Sequence, residues 1–519
     1  MLDVRSAMRR AVGFNRDRVA IISGGRSLTF GEAWDRGKQL ANALISLGAE
    51  PGDRVAVLED NCLASSDFFL GTAIGNFVRV PLYKRNSSAS HEHMLRQTQC
   101  KILVVSDESE EQMRRLAESL PDLKHVVMRD QGYEQWLGSF SSADPDPVID
   151  PEGFYVIRYV IRHSAGTTGK SKGIAFSHRA WMNTERNWTF LLEPLSIGDC
   201  SIHIAPISHG SGYLFVPTWL AGGCNILEPR FEAQRLLDLL AEYGGYVFGV
   251  PTILSDLVKA IDTGTATVRP MPQLKGIVLG GAPVNRQTTL RARDLFDGKL
   301  YQMYGQTECV PGTWLTPGDW FADIKGSDPI VSCGRPLPFT ELEIRDADNR
   351  PLPTGQAGEI ALRSDGQMVC IWGDPELTAR RLVDGWVLTG DIGRFDENGY
   401  VYLQDRKDDM IISGGYNIWP AELEQVILDI PGVREVSVFG VPDERWGETP
   451  LAVVVVAEDA VVEEATVVET CRQRLGSYKK PGRVRITIEP LPRTPLGKIS
   501  RKLLREPNWA GQANRIGVA

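Results

Sequence analysis

The sequence predicts an α/β protein. The expected architecture is a large N-terminal domain of layered α/β subdomains plus a small β-rich subdomain, followed by a small mobile α+β C-terminal domain. Three observations carry this. Strand-like and helix-like runs alternate from the first residues, the pattern of layered structure with parallel pairing. From Ser332 the character changes to short strands and turns. The charged run Asp405-Arg406-Lys407-Asp408-Asp409 then interrupts the chain, and helices and strands resume beyond it as a unit of ~110 residues, an ordinary domain size. The expected division is 1–407 and 408–519.

In chain order, 19–22 reads as a strand running into the turn Gly24-Gly25. Thr29 and Glu32 have the spacing of a capping box, and the helix they open carries Leu40, Ala41, Leu44 and Leu47 on one face before Gly48 stops it. Strands at 54–58, 78–82 and 101–105 alternate with helices at 65–74 and 92–98. The stretch 110–150 is polar and ends in a linker-like run of Ser, Asp and Pro. An apolar strand at 154–161 follows, then 276–279, then the β-rich strands 341–345 and 359–362 around a turn at 349–355. The last unit reads as helix 421–428, strands 435–441 and 452–456, helix 466–475 and strand 484–488.

A chain of 519 residues that is 42% hydrophobic and 24% charged has room for more than one core. The net charge of -9 argues against a nucleic-acid partner, which calls for a basic excess. Eight cysteines (62, 100, 200, 224, 309, 333, 370 and 471) show no C-x-x-C, and no His pair has zinc spacing. They read as reduced, mostly buried residues of a cytoplasmic protein. His91-Glu92-His93 falls on what looks like an exposed helix and is a poor metal candidate. No apolar run reaches the ~18 residues of a membrane span, and Arg5, Arg9 and Arg10 are not followed by an apolar core, so neither an integral membrane segment nor secretion is expected. A homodimer stays open.

The most informative stretch runs from Arg162 to Gly173. Gly166, Gly169 and Gly173 let backbone amides approach an anion, Ser164, Thr167, Thr168 and Ser171 donate hydrogen bonds, and Lys170 and Lys172 supply charge. A flexible surface turn is the plain alternative. The nucleoside-triphosphatase loop is a poor match: its first glycine would fall at Ser164, and Gly173 to Ser177 reads as a strand where a helix should begin. With its Ser-Ala-Gly-Thr-Thr-Gly core and Lys172-Gly173 ending, the run resembles the phosphate loop of the adenylate-forming superfamily, which includes acyl-CoA synthetases, luciferases and peptide-synthetase adenylation domains. Ala165 and Ser171 depart from the family's more usual Ser and Pro.

Further motifs similar to that superfamily follow in its order. Tyr304-Gly305-Gln306-Thr307-Glu308 joins an aromatic face, a hydroxyl and a carboxylate, and the resemblance implies adenine, α-phosphate and Mg²⁺ as their respective partners. Gly280-Gly281-Ala282 ends a strand where, in the family, adenine and the acyl group border the backbone; a tight turn is the alternative. Asp391 and Arg406 resemble the family's ribose-binding pair. Ser211 sits between glycines, but a hydrolase elbow would need glycine at His209; His209 resembles instead the family's gate to the carboxylate and acyl pocket, whose walls would be Tyr213, Phe248, Met303 and Thr313, with Gly280 and Gly281 leaving room for a sizeable group. Lys498, in a Pro/Gly-rich loop, resembles the catalytic lysine carried by the C-terminal domain. Ser413-Gly414-Gly415 resembles the pantetheine tunnel, and Trp446, Tyr478 and Lys480 fall where related synthetases hold the nucleotide end of coenzyme A, although a core Trp446 is an equal reading. Asp408 matches the hinge of the family.

The resemblance therefore implies an acyl-CoA synthetase: a carboxylic acid and ATP, with Mg²⁺, give an acyl-adenylate, which coenzyme A converts to a thioester. Alternatives are a stand-alone adenylation enzyme that loads a carrier protein, a luciferase-like oxygenase, and a catalytically silent nucleotide-binding regulator. The acid expected is fatty, aromatic or alicyclic.

Overall fold

The computed structural model describes residues 3–84, 86–106, 110–129, 132–145, 158–164, 171–282, 286–406, 409–413, 416–443, 446–458, 460–476, 479–494 and 498–509. The chain forms two compact units, one of Met1–Leu342 with Leu362–Leu388, the other of Glu343–Ala361 with Thr389–Ala519.

Among the described residues, the first unit holds two large sheets. The nine-stranded sheet runs, in spatial order, Arg335–Pro336, Cys309–Leu315, Leu300–Gln306, Leu274–Gly280, Gly245–Gly249, Cys200–His203, Cys224–Leu227, Val19–Ser23 and Arg26–Thr29. Its centre is parallel, as the alternation of apolar strands and helices requires, and both margins are antiparallel hairpins. The seven-stranded sheet runs Cys370–Ile371, Lys172–Ser177, Arg158–Ser164, Val78–Tyr83, Arg54–Glu59, Ile102–Ser106 and His125–Arg129. A further sheet is built from Thr340–Arg345, Gly358–Ser364, Trp386–Phe395, Leu382–Val383 and Val401–Arg406.

Local chemistry explains the element boundaries. The helix Phe30–Ser46 opens on the expected capping box: Glu32 N donates to Thr29 Oγ1 at 3.2 Å, and Thr29 N donates to a Glu32 carboxylate oxygen at 2.8 Å. It ends where Gly48 turns with φ of 82°. Its buried face, Leu40, Ala41 and Leu44, packs on the fully buried helix Ser65–Ile74.

The polar stretch before the linker-like run is not without structure: it carries the helix Glu110–Glu118, the strand His125–Arg129 and the helix Tyr133–Gly138. Sparse apolar residues suffice there: Met113, Leu116 and Leu120 join the core beneath the seven-stranded sheet, and Tyr133 and Leu137 the core on its other face. The helix Ser88–Thr98 is not an exposed one either. His91 is buried with Nε2 at 2.9 Å from Tyr83 O, and His93 Nε2 lies 2.9 Å from Ser171 O. Of the strand expected at 154–161, residues 154–157 lie outside the described residues and the strand is Arg158–Ser164.

The second unit has a five-stranded sheet of Tyr416–Ile418, Ile411–Ser413, Gly447–Val456 and Val433–Asp443, with Arg483–Thr487 parallel to Gly447–Val456. The helices Pro420–Leu428 and Glu464–Leu475 pack on it through Leu423, Ile427, Val467 and Cys471. The helix Arg501–Trp509 is tied down by Arg501 and Arg505, which donate to Asp409 at 3.1 and 3.2 Å, and by Trp509 Nε1 donating to Gly440 O at 3.0 Å. All eight cysteines are free, six of them buried.

Three histidines of the first unit are held neutral by burial, His163 with its pKa pushed down to about 3 and His178 and His203 to about 4. Each folded value lies below the ordinary ~6.5, so the unfolded chain binds protons that the folded chain does not. Stability is therefore full above that value and falls as pH drops through the window toward 4. Melting curves should show a transition temperature that declines steadily from pH 7 to pH 5. His178→Gln, which keeps a donor toward Asn76 Oδ1, should flatten that decline, and an unchanged slope would show that His178 is not a source of it.

Candidate active site

The strands Arg158–Ser164 and Lys172–Ser177 pair antiparallel, with Ser164 opposite Lys172 and His163 opposite Gly173. Gly166, Thr167, Thr168 and Gly169, which connect them, lie outside the described residues. The segment after the connection is a strand, and the next helix begins only at His178, capped by Ser177 Oγ accepting from Ala180 N at 3.1 Å. This agrees with setting aside the nucleoside-triphosphatase loop, which opens directly into a helix.

On the nine-stranded sheet, Gly280 sits opposite Met303 across parallel strands. The strand carrying Met303 and Tyr304 then turns back at Thr307-Glu308 into Cys309–Leu315, placing Tyr304 opposite Thr313. Tyr304 and Glu308 are 9% and 5% exposed, and Glu308 O accepts from Met368 N at 2.7 Å. Arg381 donates to Gln306 Oε1 at 3.3 Å. Gly281 adopts φ of 85°, and Gly281 and Ala282 are exposed beyond the strand end. A Cβ on Gly280 would lie 2.3 Å from Met303 Sδ, so a side chain there would require the flexible end of Met303 to shift. Among the described residues no three His, Cys, Asp or Glu side chains gather as a metal site. A lone carboxylate such as Glu308 nevertheless suits Mg²⁺, which takes one or two carboxylates and fills its shell with phosphates and water.

The acyl-side candidates form an aromatic cluster. Tyr213 stacks on Trp181 and Trp188 at centroid distances of 5.6 and 5.4 Å, with interplanar angles of 19° and 13°. Phe248 and Trp314 meet Trp188 edge-on at 6.2 and 5.9 Å. His209 Nδ1 is 2.8 Å from Ser208 Oγ, and its ring meets Tyr83 edge-on at 5.3 Å. Thr313 is fully buried with its hydroxyl donated to Cys333 O. Ser211 Oγ bonds His203 Nδ1 at 2.9 Å and His203 Nε2 bonds Asn225 Oδ1 at 2.8 Å, a Ser-His-Asn chain. All three residues are 0% exposed, so no ester could reach Ser211 and the hydrolase reading stays rejected.

Sequence reasoning missed Trp181, Trp188, Glu185 and the role of Arg162. Trp181, Thr184, Glu185 and Trp188 share one buried face of the helix His178–Leu191, and their i, i+3, i+4, i+7 spacing was the available signal. The Arg162 guanidinium lies 4.3 Å from the Tyr213 ring centroid. Burial pushes the Glu185 carboxyl well above the usual range, against the opposing charge of Arg162.

In the second unit, the antiparallel strands Trp386–Phe395 and Val401–Arg406 set Asp391 directly opposite Arg406. Asp391 N donates to Thr389 Oγ1 at 3.1 Å, and that hydroxyl donates to Ile360 O at 2.7 Å. Ser413 pairs with Gly447, which brings it beside Trp446. Trp446 is 46% exposed, so the core reading of it is corrected. Lys480 is exposed. Lys498 is exposed; Thr494 N donates to Lys498 O at 2.7 Å and Arg493 bridges to Ile499, while Arg493 is anchored on Glu435 at 2.5 Å. Asp408, Gly414, Gly415 and Tyr478 lie outside the described residues.

Residues 8–372 match the AMP-binding enzyme family and residues 422–498 the AMP-binding enzyme C-terminal domain. Feruloyl-CoA synthase of Amycolatopsis sp is 34% identical over 492 residues, covering 94% of this chain and 95% of that protein. Fatty acid–[acyl-carrier-protein] ligase ScoC of Streptomyces coeruleorubidus is 30% identical over 511 residues, covering 96% and 95%. Among solved structures, ATP-bound MatB from Rhodopseudomonas palustris superposes with a TM-score of 0.86 at 26% identity, covering 98% of this chain and 99% of that one. Two family matches in this order, with relatives that align nearly end to end, mean that the chain belongs to the AMP-binding enzymes, in the acyl-CoA ligase branch of the adenylate-forming superfamily.

Proposed function

We propose that this protein activates a planar or otherwise bulky apolar carboxylic acid with ATP and passes the acyl group to coenzyme A, as a cytoplasmic enzyme. A carboxylate oxygen attacks the α-phosphorus, the bond to pyrophosphate breaks, and an acyl-adenylate remains. The thiol sulfur of coenzyme A then attacks the acyl carbon, AMP leaves with the former carboxylate oxygen, and the thiol proton goes to solvent. The observation that carries the reading is the hairpin of Leu300–Gln306 and Cys309–Leu315, which presents Tyr304, Thr307 and Glu308 in succession beside the strand end at Gly280.

The residue roles are those the family resemblance implies, each suited to the chemistry of its step. Ser164, Gly166, Thr167, Thr168, Gly169 and Lys172 would cradle the phosphates, Tyr304 with Gly280, Gly281, Ala282, Gly305 and Gln306 the adenine, and Asp391 and Arg406 the ribose. Thr307 would hold the α-phosphate, and Glu308 would hold Mg²⁺, which neutralises the leaving pyrophosphate. Lys498 offsets the repulsion between carboxylate and phosphate as the new bond forms. Ser413, Gly414, Gly415, Trp446, Tyr478 and Lys480 would receive coenzyme A, Trp446 being 46% exposed, and Asp408 would be the pivot between half-reactions. His209 would admit the carboxylate. The ring stack around Tyr213, and the 34% identity to feruloyl-CoA synthase, favour an aromatic acid. A carrier-protein thiol as acceptor is the second reading, favoured by the 30% identity to a fatty acid–[acyl-carrier-protein] ligase.

Pyrophosphate release over a panel of acids, with coenzyme A or a phosphopantetheinylated carrier added in turn, should show turnover accelerated by coenzyme A; acceleration by the carrier alone would give the second reading. Glu308→Ala should abolish release together with its Mg²⁺ dependence. Lys498→Ala should slow adenylate formation by about two to three orders of magnitude while leaving conversion of supplied acyl-adenylate to thioester intact. Equal loss in both half-reactions would make Lys498 structural.

A further inference from the structure

The segment 204–209, which carries His209, has no regular structure of its own. It is shaped by side chains from elsewhere in the first unit. Asn61 Nδ2 donates to His203 O and Ala205 O, both at 2.8 Å, and its Oδ1 accepts from Ile207 N at 3.0 Å. Arg162 donates through Nε and a terminal nitrogen to Ser208 O at 3.2 and 2.8 Å. Both residues are buried, so these bonds form out of competition with water. Immediately downstream the turn is tight: a Cβ on Gly212 would lie 2.0 Å from Ile207 O. The relay through Ser211, His203 and Asn225 closes the far side. Because Asn225 Nδ2 donates to Phe215 O at 3.3 Å, its Oδ1 is the acceptor for His203 Nε2–H, and His203 Nδ1 accepts the Ser211 hydroxyl.

We propose that Arg162 and Asn61 are positioning residues for the acid substrate, clamping this segment so that His209 and Tyr213 keep the orientation the carboxylate needs. Arg162 stands two residues before Ser164, on the strand that enters the phosphate connection, and its guanidinium also lies on the Tyr213 ring. One side chain thus ties the nucleotide-side strand to the acyl-side segment. A lysine would not serve, since a point ammonium lacks the planar fork that donates twice to one carbonyl while lying flat on a ring.

The inference rests on the ligase reading and is tested through it. Pyrophosphate release by the full-length wild type, Arg162→Lys, Asn61→Ala and the double variant is measured with acid and ATP varied separately, alongside melting temperature. The expected result is a KM for the acid raised about ten- to a hundredfold with the KM for ATP within about threefold. The two substitutions should combine to less than the product of their separate effects, because either alone frees the same segment. A merely structural role would raise both KM values together or multiply the effects, and either result overturns the clamp. Should the Arg162 variant fail to fold, Asn61→Ala alone, which removes the three bonds to His203 O, Ala205 O and Ile207 N, must show the same selective rise. An unchanged acid KM in it would equally refute the proposal. A wild type silent toward every acid overturns the ligase reading itself, and the clamp with it.

Discussion

The register of Leu300–Gln306 against its two neighbours is the constraint from which the candidate site follows. Parallel pairing on one side sets Gly280 opposite Met303, and the antiparallel return on the other sets Tyr304 opposite Thr313. Slipping either ladder by one residue would exchange the faces that Tyr304 and Met303 occupy, because side chains alternate along a strand. Gly280 lies under the Met303 thioether, which would have to move for any larger residue. The bend at Thr307-Glu308 is then held from outside by Met368 N on Glu308 O.

A second principle concerns where anions are met. The parallel strands and their helices would allow a phosphate to sit at a helix N-terminus, but the Gly-rich run joins two antiparallel strands instead. On the proposed reading, the hydroxyls of that run and Lys172 would supply the field that a helix dipole would otherwise provide. Nearby charge is arranged sparingly. His163, opposite Gly173, is held neutral by burial, and Arg162 lies against a carbonyl and an aromatic ring, with the buried Glu185 carboxyl within its field.

Much of this was legible in the sequence. The capping box at Thr29 and Glu32, the helix Ser65–Ile74 and the alternating strands were readable because each has a short-range cause: a spacing, a periodicity or a turn residue. The pairing of Asp391 with Arg406 was named from motif resemblance, and the strand register sets the two residues opposite each other. What stayed hidden has long-range causes. Asn61 meets a segment more than 140 positions away, and Arg162 reaches Ser208 46 positions on; no local pattern announces either. The elements between 110 and 138 went unread because a few apolar residues among many polar ones are enough to seat a peripheral helix and an edge strand.

The central claim is that the carboxylate oxygen of the acid attacks the α-phosphorus of ATP on this chain. It is tested most directly by supplying acid labelled with ¹⁸O in both carboxylate oxygens, with ATP, Mg²⁺ and coenzyme A, and weighing the products by mass spectrometry. The account predicts one ¹⁸O in each AMP, unlabelled pyrophosphate, and one ¹⁸O left in the thioester carbonyl. Label in orthophosphate with ADP as the nucleotide product, or AMP free of label, would contradict it.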